Sequence, residues 1–323
     1  MPATFIKAVE LWVPGEDGSL LEFSAGAFGA ARAFASLSRS MCFGRGEGLP
    51  GHAWDEGRPL LLRSLDSGYF QRTAAAQAAG LGCAIAMPLY RQDALRAVLV
   101  LFCGHDTEHA AALELWHQDA RVSSDMTLVD GAYGPTHPGF EAVSRETYLP
   151  RGVGLPGRAW QRGEAVFVED LGAEPTRFLR AEQATETGML RGLALPLGSQ
   201  REDCHVVTFL AGPALPLAHR IERWALDATG ANLQRLYAFS ELHGGHTALS
   251  AELPLPSAAT AAGSAAHSAI VQAWISGLPV INPHPRDERG APAAAAAACG
   301  AMALVAIPVL REGEVNEVLA LYL

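Results

Sequence analysis

Ten side chains able to bind a small molecule recur at matched places in two segments of this chain. The first segment contributes Trp54, Asp66, Phe70, Arg72 and Cys83, and the second contributes Trp160, Asp170, Phe178, Arg180 and Arg191. An arginine guanidinium can hold a carboxylate or phosphate through two parallel hydrogen bonds, so Arg72 and Arg180 would suit an anionic ligand. The alternative for both is an exposed or locally paired position on a helix. The alternative for the two tryptophans is that they pack a helix onto a sheet.

Histidine spacing points to metal chemistry at one place only. Residues 105–109 read H-x-x-E-H, a spacing in which two histidines one helical turn apart can bind zinc. This segment is a short linker and no obvious third ligand follows it, so we expect a solvated linker and no metal. No Ser/His/Asp order, Walker loop or dinucleotide-binding fingerprint stands out.

One motif organises the chain. The pattern G-x-G-L-P-G-x-A-W-x-x-G occupies residues 46–57 and again residues 152–163, with every matched residue offset by 106 positions. A third copy keeps only Ala273, Trp274 and Gly277. Proline is tolerated in the first turn of a helix, and a terminal glycine can take positive φ. The motif therefore predicts a short helix that ends at its last glycine.

The six tryptophans occur in the same order in three successive segments. Three of them stand two residues after a glutamate (Trp12, Trp116, Trp224), and three belong to the motif (Trp54, Trp160, Trp274). Repetition of this kind predicts three copies of one structural unit.

The segments around the motif read alike in each copy. Alternating apolar residues predict strands before and after the motif. Between the later strands, a helix is predicted to carry Phe70 and Arg72 in the first copy and Phe178 and Arg180 in the second. Pro88 and its two counterparts are predicted at a bulge or strand edge, because proline cannot donate a hydrogen bond to a neighbouring strand.

This order of strands, motif, helix and closing strands resembles the GAF domain family. The motif is intact in the first two copies, and the third, which lacks Gly-Leu-Pro-Gly, resembles a degenerate copy. The resemblance implies an α+β fold of three serial GAF-like units, each a central antiparallel sheet flanked by helices. The expected units are residues 1–107, 108–214 and 215–323.

The resemblance also implies a binding module. GAF domains hold cyclic nucleotides, bilins, haem, small metabolites or ions under a helix-and-loop lid, or they mediate dimerisation. The ten residues above are the expected ligand site of units one and two, whereas unit three is expected to be structural or an interaction surface. The sequence names neither the ligand nor a cofactor. No kinase, cyclase, phosphodiesterase or DNA-binding segment accompanies the units, so output is expected through a separate protein partner, and a homodimer stays open.

Two alternatives remain. One is a scaffold whose pockets have collapsed around side chains. The other is a thiol enzyme similar to the free methionine sulfoxide reductases, which are GAF enzymes with several cysteines in one pocket; Cys42, Cys83 and Cys103 all lie in unit one. Cys204-His205 resembles the pair by which some GAF domains bond a bilin, but here it is expected at a strand start. We therefore expect a non-enzymatic protein.

Composition argues against other classes of function. The net charge is −10 with no basic run, which makes nucleic acid an unexpected partner. No run of about 18 apolar residues exists, so we expect no membrane span. The five cysteines form no C-x-x-C pair and the N-terminus has no apolar signal core, so a cytoplasmic location is expected.

Overall fold

The computed structural model describes residues 3–66, 68–91, 93–104, 108–136, 138–173, 178–199, 203–243, 245–246, 251–256 and 267–323. Residues 105–107 of the H-x-x-E-H segment therefore lie outside the described residues. Within the described part, no helix combines the length and apolar character needed to cross a membrane.

Three antiparallel sheets follow one another along the chain. The strands of the first sheet are β1 (Ile6–Pro14), β2 (Leu20–Ala27), β3 (Cys42–Gly44), β4 (Leu60–Leu62), β5 (Leu81–Arg91) and β6 (Ala94–Gly104). Those of the second are β7 (Ala111–Asp119), β8 (Thr127–Tyr133), β9 (Val166–Val168), β10 (Arg191–Ser199) and β11 (Asp203–Ala211). Those of the third are β12 (Arg220–Leu226), β13 (Asn232–Ser240), β14 (Gly245–His246), β15 (Glu252–Pro254), β16 (Val280–Asn282), β17 (Leu304–Arg311) and β18 (Glu314–Tyr322).

Helices flank each sheet. They are α1 (Arg32–Arg39), α2 (Gly48–Glu56) and α3 (Thr73–Ala78) in unit one, α4 (Pro138–Glu146), α5 (Gly154–Arg162) and α6 (Ala181–Glu186) in unit two, and α7 (Ala269–Ser276) and α8 (Ala291–Cys299) in unit three. The expected unit boundaries at 107/108 and 214/215 fall between the sheets and stay predictions.

The three sheets share one strand order. It runs β2-β1-β6-β5-β4 in the first, β8-β7-β11-β10-β9 in the second and β13-β12-β18-β17-β16 in the third. Strand β3 extends the first sheet beyond β2, while β14 and β15 both pair with β13. The predicted fold of serial units, each an antiparallel sheet flanked by helices, is confirmed.

Equivalent bulges mark the repeat. The pairing register shifts directly before Trp12 in the first sheet, before Trp116 in the second and before Trp224 in the third. A β-bulge places an extra residue opposite the partner strand and increases the local twist. The three indole rings therefore occupy equivalent surroundings, as repetition of one unit requires.

The motif helices α2, α5 and α7 end as predicted. Each is followed by a glycine in the left-handed region, with φ of 65° at Gly57, 62° at Gly163 and 66° at Gly277. A side chain is disfavoured in this conformation, so glycine ends the helix at low cost.

The aligned prolines lie where their strand has a neighbouring strand on one side only. Pro88, Pro196 and Pro308 each stand two residues past the last residue that pairs with the short strand β4, β9 or β16. The predicted position agrees with the lack of a proline N–H.

One local prediction is wrong. Phe70 and Arg72 precede helix α3, and Phe178 and Arg180 precede α6, so none of them lies on its helix. Arg72 has a non-helical backbone with φ of −118° and ψ of 27°. This backbone turns the arginine inward toward a buried carboxylate, described below.

Both faces of each sheet are buried. One face packs on the helices of its own unit and forms three separate outer cores, centred on Trp12, Trp116 and Trp224. The opposite faces meet in one central core shared by all three units. Side chains alternate between faces along a strand, which is why these strands carry apolar residues at nearly every position.

The units close head to tail around that central core. Strand β4 of unit one lies against β7 and β8 of unit two, and β16 of unit three lies against β2 of unit one. Between units two and three, the ring centroids of Phe167 and Phe239 are 5.1 Å apart. Arg63 also forms an ion pair with Asp130 across the first junction. The architecture is therefore a closed ring of three related units.

Candidate functional site

A buried ion pair lies beneath the helices of unit one. Arg72 Nη2 donates to Glu10 Oε2 at 3.0 Å, and Arg72 Nη1 donates to Glu10 Oε1 and to the Ser38 hydroxyl. The Trp12 indole N–H donates to the same carboxylate at 3.0 Å. These four side chains are buried, so each charge depends on its partners for the interactions lost with water.

Unit two repeats the arrangement. Arg180 Nη2 donates to Glu114 Oε2 at 2.9 Å, and its Nη1 donates to the Ser144 hydroxyl at 2.5 Å. Trp116 and Tyr133 also donate to Glu114, each at 3.0 Å. Burial by itself raises the pKa of Glu114, but attraction to Arg180 and these hydrogen bonds outweigh it, and the net shift is downward.

Unit three keeps the carboxylate but recruits different arginines. Glu222 accepts from Trp224 Nε1 at 2.9 Å, from Tyr322 Oη at 3.0 Å and from Arg220 Nε at 2.6 Å. Arg235 Nη1 donates to it at 2.9 Å. Because strands β12 and β13 supply the cations, the segment equivalent to Phe70–Arg72 is not needed, and unit three has an alanine-rich helix there.

These pairs give two predicted site residues a structural role. The guanidinium carbons of Arg72 and Arg180 also lie over the buried rings of Phe70 and Phe178, at 5.5 and 4.9 Å from the ring centroids. Both guanidiniums therefore donate to protein acceptors and pack on aromatic faces. Ligand contact by these four residues stays a prediction, and their packing explains their spacing without a ligand.

Four further predicted residues lie at the periphery of units one and two. Trp54 is half-buried and Trp160 is buried, and each packs against the outer core of its own unit. Asp66 and Asp170 are exposed and accept local hydrogen bonds. Their ligand contacts also stay predictions.

The last two predicted residues lie at unit junctions. Arg191 Nε donates to Glu241 Oε1 of unit three at 3.0 Å. Cys83, its counterpart in unit one, lines a small cavity of about 50 Å³ between units one and two, together with Arg63 and Tyr133. The other nine predicted residues line neither this cavity nor the larger one described next.

The larger cavity opens in unit three and measures about 790 Å³. Its described lining comes from β15, the start of α7, β16 and residues 283–290. The carboxylates of Glu252, Asp287 and Glu288 contribute, as does the guanidinium of Arg289. Apolar side chains from β15, α7 and β16 complete the wall, so the cavity offers both apolar surface and hydrogen-bonding groups.

Glu288 is the most informative residue of this wall. Its Oε1 accepts from the Ala269 backbone N–H at 3.0 Å and from Asn282 Nδ2 at 2.8 Å. Its Oε2 is buried and has no hydrogen-bond partner among the described residues. Burial raises the pKa of Glu288 despite those two hydrogen bonds. A buried acceptor without a partner is costly, and a rotation of the side chain toward the cavity would let a ligand donor satisfy it.

A glycine-to-valine difference separates the motif of unit three from those of units one and two. In unit one the chain before the motif helix folds back onto it, with Gly46 N donating to Gly51 O at 2.8 Å. A Cβ on Gly51 would lie 2.1 Å from a backbone oxygen, and one on Gly157 would lie 2.5 Å from its equivalent. Counting back from the motif tryptophan, Val271 takes this position in unit three and lines the cavity. A valine at this position rules out the close backbone approach that Gly51 and Gly157 permit.

Sequence reasoning missed one cluster of titratable side chains. His117 on β7 and His205 on β11 are directly paired across the sheet, and their rings stack at 4.1 Å. Burial, followed by repulsion from His117, lowers the pKa of His205 to about 4. The neighbouring Cys204 is buried on the opposite, helix-facing side, so Cys204 and His205 do not share a face as the bilin-bonding pair would. Only the register of β7 and β11 could have revealed the histidine pair.

Comparison with known proteins finds a family model that matches the first third of the chain. A family model described as a GAF domain matches residues 8–120, which span unit one and the first strand of unit two. A search of curated proteins finds no match.

Several solved structures resemble about a third of the chain. The NreA protein of Staphylococcus aureus, mutated in its nitrate binding site, is 18% identical over 34% of this chain and 80% of its own, with a TM-score of 0.27. The GAF domain of A. aeolicus nlh2 is 17% identical over 31% of this chain and 59% of its own, with a TM-score of 0.26. A free methionine-R-sulfoxide reductase from Neisseria meningitidis is 24% identical over 33% of this chain and 53% of its own, with a TM-score of 0.23. This chain thus spans less than two thirds of the last two, and such likenesses say nothing about what it binds.

Proposed function

The chain carries a GAF domain, and on that premise we propose that it is a non-enzymatic regulatory protein that binds a small molecule and acts through a separate protein partner. The proposed binding site is the cavity of unit three. This assignment differs from the sequence-based expectation, which put the ligand in units one and two and gave unit three a structural role.

The size of the unit-three cavity is the observation that carries the proposal. About 790 Å³ lies within the range of roughly 300–1,000 Å³ typical of small-molecule sites. The lining combines apolar side chains with a few polar groups that converge from β15, α7, β16 and residues 283–290. This composition is typical of a site in which a few polar groups fix the orientation of a ligand.

The free acceptor at Glu288 indicates the chemistry of the ligand. Three acidic residues, one arginine and two histidines line the cavity, so its carboxylates favour a molecule that donates hydrogen bonds. A ligand amine or N–H group would satisfy Glu288 Oε2 once that side chain turns toward the cavity, and it would stabilise the ionised carboxylate. The ligand class proposed is therefore a small polar metabolite with at least one nitrogen donor.

A scaffold without a ligand is the second candidate function. The buried Arg72 and Arg180 networks support it for units one and two, because they occupy the region where the lid of a GAF domain was expected. In this view all three units hold the ring together and none of them binds a ligand.

A thiol enzyme receives less support from the cysteine positions. Cys83 and Cys103 are directly opposed on β5 and β6, but Cys42 is exposed on β3, three strands away from β6. At about 4.8 Å per strand, Cys42 lies roughly 14 Å from the pair along the sheet. Burial raises the pKa of Cys103, which disfavours the nucleophilic thiolate.

Thermal shift with the full chain tests the proposal. The panel contains amines and amino acids, cyclic nucleotides, tetrapyrroles and oxyanions, and each compound that raises Tm is checked by native mass spectrometry. A true ligand at 100 times its Kd stabilises the fold by about 2.7 kcal/mol. We expect a nitrogen-donor compound to raise the Tm of the wild type but not that of Glu288→Gln. The control is Asp55→Asn, which removes an exposed carboxylate of unit one and should respond like the wild type. Absence of stabilisation by every class would contradict ligand sensing and favour the scaffold.

A further inference from the structure

Three potential metal ligands meet at one end of the second sheet. One ligand atom each from His117, Asp203 and His205 lies within 4.8 Å of the other two. Asp203 Oδ1 is 2.6 Å from His117 Nε2 and 3.7 Å from His205 Nδ1. The cluster lies outside both cavities described above, so it is separate from the proposed ligand site.

The strand pairing brings the three side chains to one face. His117 and His205 are opposite each other on β7 and β11, and Asp203 precedes His205 by two residues on the same strand. Residues i and i+2 of a strand point to the same side, here the side of the central core. Because β7 and β11 are adjacent strands in the middle of the sheet, the backbone holds the cluster in place.

Exposure leaves the cluster open on one side. The side chain of His205 is 8% exposed, that of His117 is 28% exposed and that of Asp203 is 65% exposed. A cation could therefore reach the site from solvent while His205 anchors it from below. Three protein ligands with an open position are the arrangement that zinc adopts in sites that keep a bound water.

We propose that His117, Asp203 and His205 form a binding site for a divalent transition-metal ion, with Zn²⁺ as the fitting ion. Two imidazole nitrogens and one carboxylate oxygen match the ligand preferences of zinc. Bond lengths of about 2.0–2.1 Å in a tetrahedral site bring ligand atoms to roughly 3.3 Å from one another. Side-chain rotations that lengthen the His117–Asp203 separation and shorten the other two would therefore complete the site.

Charges around the site set its selectivity. Asp119 lies opposite Asp203 across the strands and carries a bidentate hydrogen bond from Arg121. The surroundings thus hold one further carboxylate that is already paired with a guanidinium, which disfavours a hard cation that needs several carboxylates and favours one bound through imidazole nitrogen.

Metal titration of the chelator-treated full chain tests the site. Co²⁺ serves as a spectroscopic probe, because nitrogen coordination in a tetrahedral site gives intense visible absorption, and Zn²⁺ affinity is measured by competition with a chromophoric chelator. We expect one ion per chain. Asp203→Asn changes an exposed residue and keeps the fold, and His205→Gln removes the buried ligand. Loss of a residue that only supports a metal ligand typically weakens metal binding by about 10- to 100-fold. We expect loss of either ligand to weaken Zn²⁺ binding by at least that factor.

Two controls make the result decisive. His52→Gln removes a histidine of unit one that stacks on Tyr69, and it should leave the affinity unchanged. Unfolding of the metal-free variants, followed by circular dichroism, should match the wild type for Asp203→Asn. Absence of Co²⁺ absorption at one equivalent, or wild-type Zn²⁺ affinity in both Asp203→Asn and His205→Gln, would overturn the proposal. Neither result would affect ligand binding in unit three.

Discussion

At the scale of single residues, the sequence pattern identified two arginines but not the residues that they contact. The matched spacing of Arg72 and Arg180 marked them as special, but their partners Glu10 and Glu114 lie 62 and 66 positions earlier in the chain. A sequence motif identifies a charged residue, and only the sheet register shows which opposite charge is buried beside it. The sequence therefore predicted the importance of both arginines and missed the physical reason for it.

Removing Arg180 should strongly destabilise the chain. Arg180→Met leaves the Glu114 carboxylate buried without its cation, which costs about 3–5 kcal/mol of unfolding free energy. Urea denaturation measures this, with Arg162→Met, an exposed arginine of α5, as the matched control. The double variant Glu114→Gln/Arg180→Met should recover part of the loss. A loss below about 1 kcal/mol in Arg180→Met would show that the pair is not coupled in this way.

Replacing Glu288 should separate stability from binding. Its pKa is raised in the fold, so the folded chain binds this proton more tightly than the unfolded chain does, and the resulting stability is present at low pH and lost as pH rises through the folded pKa. Glu288→Gln keeps the acceptor that receives the Ala269 and Asn282 hydrogen bonds, and it cannot ionise. We therefore expect its Tm to exceed that of the wild type by ~2 °C at pH 7 and by less at pH 4.

The matching experiment is a pair of thermal melts without ligand. A purely structural Glu288 would make the variant less stable than the wild type at pH 7. That result would remove the argument that an unsatisfied acceptor waits for a ligand in the unit-three cavity.

At the scale of elements, most of each unit was predictable. Apolar alternation and the glycine ends predicted the strands and the motif helices, because these signals are local. The short helices α3 and α6 begin later than predicted, since Arg72 and Arg180 turn inward before the helix can start. The unit-three cavity could not be predicted, because segments far apart in the sequence, β15, α7, β16 and residues 283–290, form its wall.

The motif glycines should tolerate no side chain in units one and two. Gly51→Ala and Gly157→Ala place a Cβ 2.1 and 2.5 Å from a backbone oxygen, so the turn must shift. We expect each to cost about 1–3 kcal/mol of unfolding free energy. In unit three, Val271→Gly should leave the cavity able to close and should weaken ligand binding.

Chemical denaturation and ligand titration measure these effects. Gly68→Ala is the control, because no atom lies within 4 Å of its added Cβ and its φ is not positive. If Gly51→Ala proves as stable as Gly68→Ala, the close approach does not fix the turn, and the effect expected of Val271→Gly loses its basis.

At the scale of the whole molecule, the closed ring of three units could not be predicted from the sequence. Apolar alternation indicated one buried face for each strand, and burial of the second face is a matter of long-range packing. The structure shows that each sheet uses its second face to build the shared core. The sequence thus predicted three units and left open that they close on one another.

A shared core should make unfolding cooperative across the chain. Differential scanning calorimetry is expected to show one transition, because unfolding one unit exposes the central faces of the other two. Phe167→Ala weakens the junction between units two and three and should lower Tm without splitting the transition. Two or three resolved transitions in the wild type would contradict a common core.

The central claim is that unit three binds a small molecule in its cavity. A crystal structure of the full chain with the compound that raises Tm most tests it directly. We predict that the compound lies between β15, the start of α7 and β16, with a nitrogen donor within about 3 Å of Glu288 Oε2. A compound bound in unit one or two, or a unit-three cavity filled by the chain's own side chains, would contradict the account.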